Sequence, residues 1–169
     1  LGGWALDIPN ILCLYGDEVK GGDQPNTKEV RDLDTIGLLK TAQEIKTKKM
    51  YPSGRKIANA PEFFIGGADT PYKINNDFDG SNLRKKIDAG VEFFQTQYAF
   101  DEEILEKYML KLKQLKITDK AFFIIGLGVI KSANSARWMN KNLFGINIPE
   151  KIINRIEQSN DESLEGIKV

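Results

Sequence analysis

An α/β fold built on a parallel sheet is what this sequence predicts, and three observations predict it. Four short apolar runs recur, at Ile11–Tyr15, Glu62–Gly66, Val91–Gln97 and Ala121–Gly126, each bounded by Gly, Asp or Pro, as strands buried on both faces should be. Between them lie stretches whose apolar residues return every three or four positions, the pattern of a helix with one buried face. The order alternates strictly as βαβαβαβα. Alternation implies parallel strands with right-handed crossovers, hence either an eight-stranded (β/α) barrel or an open doubly wound sheet.

Taken in order, the first run is followed by the stripe Ile36, Leu39, Ala42 and Ile45, a helix lying on the sheet. Residues Lys46 to Ala60 are basic and contain Tyr51-Pro52-Ser53-Gly54, which predicts a solvated loop before the second strand. Asn82 to Ala89 forms a shorter helix with Gly90 placed to stop it. In the third strand, alternation sets Phe93, Gln95 and Gln97 on one face and Phe94 and Thr96 on the other. Asp101–Leu115 follows with Ile104, Leu105, Tyr108, Leu112 and Leu115 against Glu103, Glu106, Lys107, Lys111 and Lys113, an amphipathic helix. Ala133–Leu143 is the helix after the fourth strand. Pro149 opens another, with Ile152, Ile153 and Ile156 as its buried face. Ser159 to Ser163 breaks it, and a further helix starts at Leu164.

The bulk composition narrows the function. At 169 residues with 41% apolar and 28% charged residues, the chain has the size and make-up of one globular domain. Lys+Arg and Asp+Glu both total 24, so no basic excess points to nucleic acid or an anionic membrane. The longest apolar stretch, Ala121 to Ile130, is broken by two glycines and falls short of the roughly 20 residues of a membrane span. The lone Cys13 cannot pair within the chain, lies in an apolar run as a buried thiol would, and fits a reducing cytoplasm. With no histidine, Ser-His and Cys-His chemistry and the usual zinc sites are excluded for these residues, and no metal site is expected.

In either parallel architecture ligands gather at the C-terminal ends of strands, which singles out Tyr15-Gly16-Asp17, Gly66-Gly67-Ala68, Gln97 and Gly126-Leu127-Gly128. Gly16 allows close backbone approach by a flat ligand, and Asp17 either aims a carboxylate at it or merely opens a loop. The Gln97 amide suits the edge of a heterocycle, or is a core amide satisfied by neighbouring strands. Asp79 to Lys86 is polar and basic at a helix start, so Asn82, Lys85 and Lys86 either face solvent or meet a phosphate. The Gly126-x-Gly128 pair lacks the third glycine of a dinucleotide fingerprint, because position 131 is Lys131; it reads as room for a ligand or as tight packing.

Asn10-Ile11-Leu12-Cys13-Leu14-Tyr15-Gly16-Asp17, Asp32-Leu33-Asp34, Asp88-Ala89-Gly90 and Phe94-Gln95-Thr96-Gln97, continued by Ser132-Ala133, Ala136 and Ile148-Pro149-Glu150, resemble the methylenetetrahydrofolate reductases over nearly the whole chain. The resemblance implies a (β/α)8 TIM barrel, of which residues 1–169 supply about four consecutive βα units. Four units cannot close an eight-stranded barrel, and two open sheet edges would be an aggregation hazard. The first strands and the last βα unit are therefore expected to lie outside this chain.

The resemblance further implies bound FAD, NADH or NADPH as electron donor, and reduction of 5,10-methylenetetrahydrofolate to 5-methyltetrahydrofolate, a step of one-carbon metabolism that serves methionine biosynthesis. By motif, Tyr15, Gly16 and Asp17 match the flavin-contacting strand end. Tyr15 stands where the family often has a basic residue. Ala68 falls where a small residue lets the isoalloxazine approach, and Asp79, Asn82, Lys85 and Lys86 match the segment that holds the ribityl, phosphate and adenosine parts. Gln97 matches the glutamine that hydrogen-bonds the pterin, and Met139 a substrate-side contact. Asp17 and Gln97 are thus the implied catalytic residues. The family's general-acid glutamate has no counterpart here, so these residues alone are expected to be inactive. A homo-oligomer or a complex with a partner subunit is expected, in the cytoplasm. Two other readings share the fold: an accessory subunit that binds folate or flavin without turnover, and a methyltetrahydrofolate-binding methyltransferase barrel, which would not need the Asp79–Lys86 segment.

Overall fold

Runs of β-branched and aromatic residues bounded by turn formers become strands, and the chain forms four: β1 (Asn10–Cys13), β2 (Phe64–Asp69), β3 (Phe93–Tyr98) and β4 (Phe122–Gly126). The computed structural model describes residues 1–19 and 22–169. Its strands make one parallel sheet in the order β1-β2-β3-β4, with Asn10 opposite Phe64 and Cys13 opposite Gly67. Sequential order with helical crossovers is the arrangement of consecutive βα units of a barrel.

The helices are α1 (Gly2–Ala5), which the sequence pattern did not suggest, then α2 (Thr35–Lys48), α3 (Ser81–Asp88), α4 (Glu102–Gln114), α5 (Ala133–Asn142), α6 (Glu150–Glu157) and α7 (Glu162–Lys168). Short polar side chains start most of them. Asp34 accepts from the Gly37 amide at 2.6 Å, Asp101 from Ile104 at 3.1 Å and Asp161 from Leu164 at 3.0 Å, while Ser132 and Ser135 cap α5 reciprocally. Gly90 ends α3 as expected: its φ is +109°, and a Cβ there would lie 2.8 Å from Gln43. The loop before β2 holds a small antiparallel bridge, Met50 opposite Lys56, turned by Gly54 at φ +84°. Among the described residues, no helix is long and apolar enough to cross a membrane.

Three strand expectations need correction. The first run stops at Cys13, where its ladder with β2 ends, leaving Leu14 53% and Tyr15 45% exposed. The second begins at Phe64 and continues to Asp69, so Gly66 and Gly67 lie within the strand instead of at its end. The third starts at Phe93, because the Val91 amide is still bonded to Lys86 of the helix. Burial on both faces also fails for β4. Phe122 and Ile124, two apart and so on one face, are 71% and 54% exposed among the described residues.

The chain divides into two compact units: Leu1–Ala68 with Gly80–Phe94 and Asp119–Phe122, and Asp69–Asp79 with Gln95–Thr118 and Phe123–Val169. In the first, Glu92 is a junction. Its backbone N–H donates to Ile65 at 2.8 Å and its carbonyl accepts from Phe122 at 3.0 Å. Its carboxylate accepts from the Ile65 amide at 3.1 Å and from Lys46 of α2 at 2.7 and 2.9 Å. Around it Leu39, Ile65 and Phe94 are fully buried, and Cys13, also buried, has its thiol pushed up by that burial.

In the second unit, Ile130, Ala133, Ala136, Ile146, Ile148, Ile153 and Ile156 form one buried cluster, with Phe100, Met139 and Ile152 against it. Helix α7 docks backbone to backbone: a Cβ on Gly166 would sit 1.6 Å from the Ile130 carbonyl oxygen. Glu162 then accepts from the Ala133 amide at 2.8 Å, placing a carboxylate at the start of α5. Tyr108, fully buried on α4, donates to both oxygens of Asp69 at 3.0 and 3.1 Å. Burial first, and the Asp69 carboxylate second, push the phenol well above its ordinary range, so it remains a donor.

Phe94→Ala is expected to lower stability by about 3–5 kcal/mol through a core cavity, whereas Leu110→Ala, at an exposed position, changes it by less than about 0.5 kcal/mol. Urea unfolding measures both. Tyr108→Phe, which removes a buried donor to a carboxylate, is expected to cost about 1.5–3 kcal/mol in the same assay.

Candidate functional site

The residues after β1 are held by contacts that no motif announces. Gly16 adopts φ +82°, and a Cβ built on it meets nothing within 4 Å, so open space lies beside this turn. The Arg31 guanidinium carbon lies 4.2 Å from the Tyr15 ring centroid, and Arg31 Nη2 donates to the Asp17 carbonyl at 2.8 Å. Glu29 pairs with Arg31 and accepts from the Val19 amide at 3.3 Å. Residues 15–19 are thereby stitched to residues 29–31, and a cation stands over the ring at position 15. The Asp17 side chain is exposed.

On β2 the glycines are packing positions. A Cβ on Gly66 would lie 2.3 Å from the Phe93 ring, and one on Gly67 3.1 Å from Val91. Ala68, half-buried in the same strand, accepts a 2.6 Å hydrogen bond at its carbonyl from Lys86 Nζ.

Helix α3 carries Asn82, Lys85 and Lys86 at i, i+3 and i+4, hence on one face. Its N-cap is Gly80, at φ +70°, which has no side chain to cap the first turn. Asn82 and Lys85 are exposed and make no ion pair or side-chain hydrogen bond among the described residues. Lys86 is half-buried and reaches Ala68. These features fit an anionic group near the start of α3: a helix N-terminus, the exposed Asn82 amide side chain and the exposed Lys85 ammonium. Asp79 directly precedes Gly80 in the chain.

In the second unit, Gln97 lies half-buried on β3 as expected. Nε2 donates to the Phe144 carbonyl at 3.1 Å, and Oε1 accepts from the Tyr98 amide at 3.0 Å. One N–H and one oxygen lone pair remain in its hydrogen-bonding inventory. The partners come from a loop and the adjacent residue, not from the neighbouring strands. Met139 packs against the apolar cluster of α5 and α6. Of the two readings of the Gly126-x-Gly128 pair, tight packing describes it: a Cβ would lie 2.7 Å from the Thr96 oxygen at Gly126 and 2.9 Å from the Phe100 ring at Gly128.

Sequence reasoning missed Arg31 and the Tyr108–Asp69 pair. Arg31 sits in an aperiodic loop 14 residues from Asp17, with no local signal. Tyr108 was legible only as part of an apolar stripe, although a buried phenol needs a partner and so implies one.

Comparison with known proteins supplies what geometry alone does not. The family model "Methylenetetrahydrofolate reductase" matches residues 2–169. A probable methylenetetrahydrofolate reductase (NADPH) of Caenorhabditis elegans is 29% identical over 154 residues, covering 90% of this chain and 21% of that protein. A methylenetetrahydrofolate reductase (NADH) 1 of Zea mays is 31% identical over 117 residues, 66% of this chain and 19% of its own length. Its Arabidopsis thaliana namesake is 29% identical over 115 residues, 65% of this chain and 19% of that protein. The chain thus spans about a fifth of the length of these relatives. With four consecutive parallel βα units and a match along all but its first residue, the chain belongs to the methylenetetrahydrofolate reductase family.

Proposed function

We propose that this protein serves the reduction of 5,10-methylenetetrahydrofolate to 5-methyltetrahydrofolate, with FAD as its bound cofactor and NADH or NADPH as the donor. Family membership carries the reading, and the exposed Asn82 and Lys85 on α3 support the cofactor. When bound, the flavin supplies the two-electron chemistry that no side chain can.

The chain's own residues have separable tasks. Asn82 and Lys85, near the N-terminus of α3, hold the anionic part of the cofactor, and Lys86 braces the Ala68 carbonyl so that strand and helix keep their spacing. Gly16 leaves room for a planar ring next to its turn. Asp17, its backbone held by Arg31, keeps a negative charge where positive charge develops on the folate, which favours the charged state of the substrate. Gln97, its amide plane fixed by Phe144 and Tyr98, offers one donor and one acceptor to the pterin edge. Asp79 and Met139 complete the assignment as cofactor-side and substrate-side contacts. No residue here matches the family's general-acid glutamate, so we infer that the 169 residues by themselves turn nothing over.

The test uses the full-length protein. It is expected to purify with, or take up, FAD and to show the flavin absorption band at about 450 nm. A preparation that stays colourless in excess FAD would sink the assignment. Lys85→Glu is expected to weaken FAD binding about tenfold or more by equilibrium titration. Asp17→Asn should retain FAD and lower kcat by about tenfold or more, with little change in KM. Unchanged reductase activity in Asp17→Asn would favour the non-catalytic accessory reading.

A further inference from the structure

A cavity of about 390 Å³ opens in the second unit, and none of the residues assigned above lines it. Its walls come from the segment after β2, the end of β3 with the start of α4, and the loop between α5 and α6. Three aromatic side chains, Tyr72, Tyr98 and Phe100, face it together with the aliphatic Ile104, Leu105 and Ile146.

The cavity is built, because its aromatic walls are fixed from behind. The Tyr72 ring packs at 5.8 Å on both Phe78 and Tyr108, and Tyr108 is tied to Asp69. Phe100 lies 6.1 Å from Tyr98 and against Gly128, where any Cβ would meet its ring at 2.9 Å. The opposite wall depends on Gly145. Its φ is +76°, and a Cβ there would lie 2.6 Å from the Thr70 methyl group, so the loop can close onto Thr70 only with glycine at this place.

Charge decides the ligand class. Lys73 lines the cavity and makes no ion pair or hydrogen bond among the described residues. The nearby Lys107 pairs with Glu103 at 3.6 Å, and Asp101, which also lines the cavity, caps α4 through Ile104. The cavity therefore offers one cation free of ion pairs, Lys73, and one carboxylate already engaged in capping a helix, Asp101, beside an apolar, aromatic-walled space. Aromatic walls favour a flat ring in offset or edge contact, and a lone ammonium favours an anion at the end of that ring.

We propose that this cavity is a binding site for a small planar aromatic carboxylate, with the ring between Tyr72, Tyr98 and Phe100 and the carboxylate on Lys73.

The probe is 2-naphthoate, titrated into the full chain and followed by calorimetry, with FAD binding read in parallel. Saturable one-to-one binding is expected, weakened about tenfold by Lys73→Met and abolished by Ile104→Trp, which fills the cavity. Neither variant should alter FAD affinity, and this separates failure of the cavity from failure of the flavin reading. Equal affinity for 2-naphthamide would overturn the assignment of charge to Lys73. Tighter binding of 2-naphthylmethylamine would overturn it in favour of Asp101. Non-saturable binding, or full affinity in Ile104→Trp, would remove the site altogether.

Discussion

The first unit depends on the position of one carboxylate. Glu92 stands immediately before β3 and is bonded through its backbone to β2 and to the first residue of β4, while its side chain accepts from Ile65 and Lys46. A partly buried acid without partners would be costly, and one that accepts three hydrogen bonds from two donors is not. The same bonds set where β3 begins. The Val91 amide is still bonded to Lys86 of α3, Glu92 is the hinge whose backbone already reaches β2 and β4, and Phe93 opens the strand. Because Phe93 closes over Gly66, the absence of a side chain at Gly66 is fixed by the same register.

The alternation of apolar runs with 3.6-residue stripes carried the element order, because burial of one face is written directly into sequence spacing. Strand ends were less legible. Nothing local tells Leu14 and Tyr15 that the β2 partner has run out, and nothing local carries β2 on through Gly-Gly-Ala-Asp. Pairing decides both, and pairing is nonlocal. The open face of β4 was hidden for the same reason: Phe-Phe-Ile-Ile reads as buried on both sides, but whether Phe122 and Ile124 are covered depends on what else stands before them.

The candidate site was legible where backbone form or residue class signals it. The polar residues of α3 and the amide on β3 lie on the elements that spacing indicated, while the Gly16 turn follows β1 only after two further residues. The partners that orient these groups were not legible, since they arrive from loops: Arg31 for the Asp17 backbone, and the Phe144 carbonyl for Gln97. Tyr15 shows the difference. The sequence shows only a neutral ring at position 15, whereas folding brings the Arg31 cation onto that ring from 16 residues away.

Gly166 lies inside α7, where glycine is a poor helix former. Its contact with Ile130 inverts that reading. Every other amino acid begins with the atom that cannot fit, so the seating of the last helix admits no graded tolerance at this position: the chain either keeps a bare backbone there or gives up the interface. The weakest-looking residue of the terminal segment is thus its least replaceable, and local propensity at position 166 would mislead any attempt to strengthen the helix by exchanging glycine for alanine.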